Sequence, residues 1–145
     1  MSTKIFCDIA DLKIIKRFSR KKIVKGFTTN PSLMRKAGAK NYKEYSKKIL
    51  KLCPKKPVSL EVFADNHKDI FHQALEISNW GKNVYVKIPI TNSKDDYMGK
   101  VINKLNAMNI KLNITAVYSS SQAQKIIKSI NNGKSVFVSG LYEEE

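Results

Sequence analysis

The chain has 145 residues, of which 42% are hydrophobic, and a formal net charge of +15 from 27 Lys and Arg against 12 Asp and Glu. This length suffices for one domain over residues 1–145 with a buried core, whereas a complete eight-stranded α/β barrel typically needs about 250 residues. Neither an apolar run long enough to span a membrane nor a signal-peptide pattern occurs, so we expect no membrane association and no secretion.

The positive charge is dispersed along the chain. It comes from 24 lysines with only 3 arginines, and the lysines occur in every predicted helix instead of forming one stripe. Such a surface attracts anions non-specifically, whereas binding of single-stranded nucleic acid combines a basic groove with stacking aromatic residues. A basic nucleic-acid-binding module is therefore the weakest alternative, and no specific nucleic-acid partner is predicted.

The two cysteines show no metal-ligand spacing. Cys7 lies in a predicted strand and Cys53 at a predicted helix end. Reduced thiols without a metal are typical of proteins in the cytoplasm. The sequence therefore predicts a cytoplasmic protein with no metal site.

Strand patterns and amphipathic helical patterns alternate along the chain. The predicted strands cover residues 4–8, 23–27, 58–63, 84–91, 111–115 and 135–139. The helical patterns between them include residues 41–52, 95–108 and 119–130. Six strands that alternate with helices predict an α/β fold, in which a parallel sheet is built from βα units with right-handed crossovers.

The segment from Thr28 to Leu33 has the chemistry of a helix start. Thr29 or Asn30 can accept a hydrogen bond from an N–H group of the first turn, and Pro31 stands where its missing N–H costs nothing. We therefore predict that this loop caps a helix.

Lys87 lies inside an otherwise apolar and β-branched run, Val84–Thr91. Such a run is typical of a parallel strand buried on both faces, where a charged amine is costly unless it is paired, neutralised or used. Burial favours the neutral form of an amine, and a neutral amine can attack a carbonyl to form a Schiff base. The alternative is a lysine near a strand end whose amine reaches water.

Polar side chains follow the carboxyl ends of the predicted strands, where parallel α/β folds bind their ligands. They are Asp8, Thr28, Asn30, Glu61, Lys87, Thr91, Asn113, Thr115 and Ser139. Singly, each has a structural explanation, such as helix capping for Asn30 or a surface ion pair for Glu61. Together they offer an amine, two carboxylates, two amides and several hydroxyls, which are the groups that Schiff-base formation and C–C bond cleavage require.

Five segments resemble, in this order, the transaldolase family, including its short-chain branch with the fructose-6-phosphate aldolases. They are Asp8 at the end of the first strand, Gly26–Ser32, Ser59–Val62, Val86–Pro89 and Leu112–Ser119. The Thr-Thr-Asn-Pro and Val-Lys-Ile-Pro sequences within them are the most specific. The resemblance covers about residues 4–139 and implies a TIM (β/α)8-type barrel that is incomplete here, with about six βα units and parallel strands.

The resemblance implies an enzyme of carbohydrate metabolism and the pentose phosphate pathway that transfers or releases a dihydroxyacetone unit of a sugar phosphate, without a cofactor. Lys87 would form the Schiff base, and Asp8 would act as acid and base in C–C cleavage. Glu61 and Thr115 would position and activate a catalytic water. The implied substrate-binding residues are Asn30, Thr28, Asn113 and Ser139. Glutamine is usual at the Glu61 position in the aldolases, so the resemblance is closer to the transferases.

The resemblance ends after the sixth strand. Glu144 stands where the family has an arginine that binds phosphate, and the last two strands of the barrel are missing. Open strand edges favour pairing with another chain, so the expected partners are a sugar phosphate and either further copies of the chain in a homo-oligomer or a chain that completes the barrel. An inactive remnant of the fold is the alternative to an active enzyme.

Overall fold

The computed structural model describes residues 4–130 and 136–140, within which six strands alternate with helices. The strands are β1 (Ile5–Asp8), β2 (Val24–Thr28), β3 (Val58–Glu61), β4 (Val84–Pro89), β5 (Leu112–Thr115) and β6 (Val136–Val138). The helices are α1 (Leu12–Ser19), α2 (Pro31–Lys36), α3 (Tyr42–Leu52), α4 (His67–Ser78), α5 (Gly99–Ala107) and α6 (Ser120–Ser129).

The strands are parallel and their order in the sheet follows the chain, from β1 to β6. Parallel neighbours need a crossover, and a helix supplies each one. The predicted fold class is therefore confirmed: the chain has the parallel βα units of a TIM (β/α)8-type barrel, six of them where a complete barrel has eight.

Two compact units divide the described residues. The first runs up to Glu61 and includes Ile77–Tyr85, and the second comprises Val62–Glu76 and the residues from Val86 onward. The organisation of residues 1–145 as one domain stays a prediction. Within the part of the chain that the structure describes, no helix is both long and apolar enough to cross a membrane.

The core of the first unit forms where α1 and α3 pack against each other beside the strands. Ile15 on α1, Ile49 on α3 and Leu60 on β3 are completely buried. Gly26 on β2 is needed for close packing, because a Cβ atom there would lie 2.7 Å from the ring of Phe6 and 2.8 Å from a backbone carbonyl oxygen. The apolar spacing of the helices thus decides which of their faces is covered.

The end of α3 is closed by a side chain from another part of the first unit. The side-chain NH₂ group of Asn83 donates to the backbone carbonyls of Leu50, Cys53 and Lys56, at 3.4, 2.9 and 3.2 Å. The last carbonyls of a helix have no partner inside the helix. Asn83 therefore satisfies groups that α3 alone leaves open.

The core of the second unit is built from α5 and the strands of its own unit. Ile102 and Leu105 on α5 are fully buried, as are Ile88 on β4 and Ile114 on β5. The helix α6 begins next to the first residue of the predicted pattern, because the hydroxyl of Ser119 accepts a hydrogen bond from the N–H of Gln122 at 3.1 Å and caps the helix. Local capping and apolar spacing therefore agree in this unit.

The helix predicted over residues 95–108 begins later than expected, at the start of α5. Asp95 has a φ of 64°, in the left-handed region that ends regular helix. The side-chain oxygen of Asn92 accepts hydrogen bonds from the N–H groups of Lys94 and Asp96, at 3.0 and 2.9 Å. An Asn turn therefore replaces the predicted first turn, because it satisfies these backbone groups locally.

The expectation that the Lys87 strand is buried on both faces is wrong for one face. Along β4, Val84, Val86 and Ile88 are buried, whereas Tyr85 and Lys87 between them are half-buried. Alternate residues of a strand point to opposite faces. Lys87 therefore lies on the less buried face of β4, and its chemistry has to be judged on that face.

Candidate functional site

The eight predicted site residues divide equally between the two units, and the four residues of each unit are described separately. The first unit contains Asp8, Thr28, Asn30 and Glu61. The second unit contains Lys87, Asn113, Thr115 and Ser139. All eight are among the described residues, whereas Glu144, the residue at the predicted arginine position, lies outside them.

In the first unit, Asp8 and Thr28 lie side by side at the ends of neighbouring strands. They are register partners of β1 and β2, and the Thr28 hydroxyl donates to Oδ1 of Asp8 at 2.9 Å. Asp8 is exposed to solvent. The hydrogen bond uses one acceptor site of Oδ1, so the carboxylate keeps acceptor sites, including those of Oδ2, for a ligand.

Asn30 has the structural role that sequence reasoning allowed for it. It is the N-cap of α2, and its Oδ1 accepts a hydrogen bond from the N–H of Leu33 at 2.9 Å, with Pro31 as the first helical residue. The preceding residue, Thr29, is completely buried, and its hydroxyl has no hydrogen-bond partner among the described residues. The amide oxygen of Asn30 is thus used in capping, so its NH₂ group is the part that can bind a ligand.

Glu61 is held at the end of β3 by a residue that sequence reasoning did not assign to the site. The hydroxyl of Tyr42 on α3 donates to the backbone carbonyl of Glu61 at 2.8 Å. Burial, and secondly the charge of Glu61, raise the pKa of Tyr42 well above its ordinary value. A signal was present, since a buried tyrosine usually finds a hydrogen-bond partner for its hydroxyl.

An aromatic contact supports Tyr42 from the other side. Its ring meets the edge of Trp80 in the same unit, with centroids 5.7 Å apart and planes at 60°. Edge contacts of this kind are a favoured geometry for two aromatic rings. Tyr42 is therefore fixed both by its ring and by its hydroxyl, and it fixes the backbone of Glu61 in turn.

In the second unit, Lys87 lies in a row of side chains that crosses the strands. It is the register partner of Asn113 on β5, and Asn113 is the register partner of Phe137 on β6. Register partners of parallel strands point to the same face of the sheet. Within its own unit, the Lys87 amine makes no hydrogen bond and no ion pair with the described residues.

Asn113 is the buried polar member of this row. It is 4% exposed, and its Oδ1 accepts a hydrogen bond from the hydroxyl of Ser139 at 2.9 Å. Thr115, two residues further along β5, is half-buried and pairs in register with Pro89. The structure therefore brings Asn113 and Ser139 into contact, with Lys87 beside Asn113 and Thr115 on the same face.

These side chains can supply an amine nucleophile and hydrogen bonds to polar substrate groups in the second unit, and two carboxylates in the first. Among residues 4–130 and 136–140, no three His, Cys, Asp or Glu are placed to hold a metal ion together. An amine, carboxylates, amides and hydroxyls are groups that take part in proton transfer and covalent chemistry on carbon.

The family model and the similar sequences agree on one family. The family model described as transaldolase/fructose-6-phosphate aldolase matches residues 5–144. The chain is 37% identical to a probable transaldolase of Dehalococcoides mccartyi over 120 residues, which are 83% of this chain and 54% of that protein. It is 37% identical to a probable transaldolase of Methanococcus vannielii over 138 residues, which are 95% of this chain and 61% of that protein.

The chain thus spans between about half and three fifths of the length of these two relatives. Among solved structures, it is similar to Leishmania donovani OMP decarboxylase, with a TM-score of 0.44 and 12% sequence identity over 94% of this chain and 83% of that one. A likeness this weak carries no statement about chemistry.

Proposed function

Because the chain belongs to the transaldolase and fructose-6-phosphate aldolase family, we propose that Lys87 forms a Schiff base with the carbonyl of a ketose phosphate, and that the whole protein transfers or releases a dihydroxyacetone unit. The observation that carries this proposal is the position of Lys87. Lys87 is half-buried and in register with the buried Asn113, and its amine has no hydrogen bond or ion pair to the described residues of its unit.

The proposed reaction divides its work among the strand-end residues. The Lys87 amine adds to the substrate carbonyl and water leaves, which gives a protonated imine that can accept an electron pair. Asp8 then removes a proton from the substrate hydroxyl beside the C–C bond, and the bond breaks as its electrons move into the imine. Glu61 and Thr115 position the water that is lost and later regained.

The remaining predicted residues bind the substrate in this proposal. Asn30, Thr28, Asn113 and Ser139 have donors and acceptors for the hydroxyls of a sugar phosphate. Glu61 favours transfer of the three-carbon unit to an aldose phosphate over its release.

The proposed substrate, partners and cellular location rest on the same family membership. A sugar phosphate is its substrate, and a homo-oligomer or a second chain supplies what the sheet edges leave unpaired. The exposed side chains of Ile5 and Val138, on the first and last strands of the sheet, agree with such pairing. The cytoplasm is the proposed location, with a role in carbohydrate metabolism.

The test is covalent trapping with borohydride in the presence of fructose 6-phosphate. Borohydride reduces the imine to a stable amine, and trypsin does not cleave after the modified lysine. We expect the adduct in an uncleaved peptide of residues 83–94, where the unmodified chain is cut after Lys87. Lys87→Met should abolish the adduct, and Lys48→Met, which removes an exposed lysine of α3, should leave it unchanged.

Two results would contradict the proposal. One is a folded sample, by far-UV circular dichroism, that gives no adduct on Lys87, as the inactive remnant predicts. The other is trapping that persists in the Lys87→Met chain, which would assign the chemistry to another amine.

A further inference from the structure

A surface groove in the second unit is formed by the start of α4 and the start of α5, and we call it the α4–α5 groove. It is lined by His67, Lys68, Phe71 and His72 from α4 and by Lys100, Val101 and Lys104 from α5. Its volume is about 580 Å³. This is within the range of about 300–1,000 Å³ typical of small-molecule sites, and several times the size of a phosphate ion.

The lining of this groove is basic and aromatic. Both histidines of the chain lie in it, together with three lysines, and none of the described residues that line it is acidic. Phe71 and Val101 form its apolar surface. The lysines elsewhere are dispersed over the helices, so the joint presence of the histidines and an aromatic ring distinguishes this place from the general positive charge.

One of the lysines is held in position over the aromatic surface. The amine of Lys104 lies 4.3 Å from the centre of the Phe71 ring, a cation–π distance, and the Phe71 and His72 rings meet edge to face at 5.6 Å. An amine that is already positioned loses less conformational freedom when it binds an anion. Lys104 and Phe71 thus line the groove at the same point.

His67 adds a hydrogen-bond acceptor. Its Nε2 lies 3.2 Å from the backbone carbonyl oxygen of Tyr97. Because a carbonyl oxygen only accepts, the proton is on Nε2, and Nδ1 of the neutral ring is an acceptor. A sugar hydroxyl or a base amino group could donate to it.

We propose that the α4–α5 groove binds a nucleotide: lysines of α4 and α5 hold the phosphates, and the aromatic and imidazole rings contact the planar base. The size of the groove, its charge and its rings each correspond to one part of such a ligand. This site contains neither Lys87 nor any other residue of the proposed reaction.

The experiment is calorimetric titration of the 145-residue chain with three probes: adenosine triphosphate, tripolyphosphate and adenosine. We expect the nucleotide to bind at least about tenfold more tightly than tripolyphosphate, because contacts of the base with the aromatic and imidazole rings add to the affinity. Lys100→Gln with Lys104→Gln should weaken nucleotide binding by at least about tenfold, since two charge-assisted contacts are lost.

A matched variant controls for total charge. Lys47→Gln with Lys48→Gln removes the same charge from exposed positions on α3 in the first unit, and should change the affinity less than about twofold. Phe71→Leu should weaken binding of the nucleotide and leave the affinity for tripolyphosphate unchanged. Lys87→Met should bind the nucleotide as the original chain does, so that failure of this proposal and failure of the Schiff-base proposal stay distinguishable.

Three outcomes would overturn the assignment. An equal loss in the two double variants would mean attraction by overall charge. Equal affinity for tripolyphosphate and the nucleotide would mean that no base is recognised. Absence of measurable nucleotide binding at physiological salt would mean that the groove is not a nucleotide site.

Discussion

The strand-end residues of the two units are held in different ways. In the first unit, each polar group has a structural task or a fixed partner: Asn30 caps a helix, Thr28 donates to Asp8, and Tyr42 holds the backbone of Glu61. In the second unit, Ser139 donates to Asn113, whereas the amine of Lys87 has no hydrogen bond within its unit among the described residues. Substitutions in the first unit therefore mix effects on folding and on chemistry, whereas a substitution of Lys87 separates them.

The largest expected effect compares the cores of the two units. Ile49→Ala in the first unit and Ile102→Ala in the second should each lower the free energy of unfolding by about 2–5 kcal/mol, because both side chains are completely buried. Scanning calorimetry measures the result. If residues 1–145 form one domain, both variants lower a single shared transition. Two transitions, each moved by only one variant, would contradict the one-domain prediction.

The next effect is on the pH dependence of stability, and it comes from Tyr42 in the first unit. Burial and the charge of Glu61 raise the pKa of Tyr42 above its ordinary value of 10.0. Above about pH 10 the unfolded chain therefore loses the phenol proton while the folded chain keeps it, so stability falls as pH rises, by up to about 1.4 kcal/mol per pH unit. Chemical denaturation at several pH values measures this slope.

The control for that prediction is Tyr42→Phe. It keeps the ring and removes the titrating hydroxyl, so the part of the slope above pH 10 that Tyr42 causes should vanish. A slope that is the same in both chains would mean that another group is responsible.

A smaller effect on the free energy of unfolding distinguishes the hydrogen bonds of the two units. Ser139→Ala removes the donor to Asn113, which is buried, and should cost about 1 kcal/mol. Thr28→Val removes the donor to Asp8, which is exposed and can bind water instead, and should cost less than about 0.5 kcal/mol. Urea denaturation of both variants gives the two values. The reverse order would mean that the first unit depends more on its polar contacts than the second.

The smallest effect on stability is expected at Lys87 itself. Lys87→Met should leave the free energy of unfolding at pH 7 unchanged within about 0.5 kcal/mol, or raise it, because an apolar side chain of similar length needs no hydration on a half-buried face. Thermal melts of the original and variant chains check this. A loss of more than about 1 kcal/mol would identify Lys87 as a structural residue.

Local chemistry explains what could be predicted from the sequence. Asn30 and Pro31 specify a helix start through one acceptor oxygen and one fixed φ, and the structure has a helix there. The alternation of apolar runs with helical patterns was sufficient for the parallel βα order. These features depend on residues close in the chain, which a single sequence displays.

Features that depend on residues distant along the chain were either missed or predicted wrongly. The degree of burial of the Lys87 face depends on what covers it, and no apolar pattern within β4 reveals that. The bond from Tyr42 to Glu61 joins residues 19 positions apart, and it was missed because the helical pattern over residues 41–52 does not identify a partner for the Tyr42 hydroxyl. The predicted start of α5 was wrong for a local reason. The side chain of Asn92 forms a turn where the pattern predicted the first turn of the helix.

The contact between Tyr42 and Trp80 has a practical consequence. Trp80 is the one tryptophan of the chain, it belongs to the first unit, and its indole N–H is buried without a hydrogen-bond partner among the described residues. Its fluorescence should therefore be emitted at short wavelength in the folded chain and shift to the red when its surroundings open to water. The emission spectrum is thus an optical reporter of the first unit alone, built into the chain without a label.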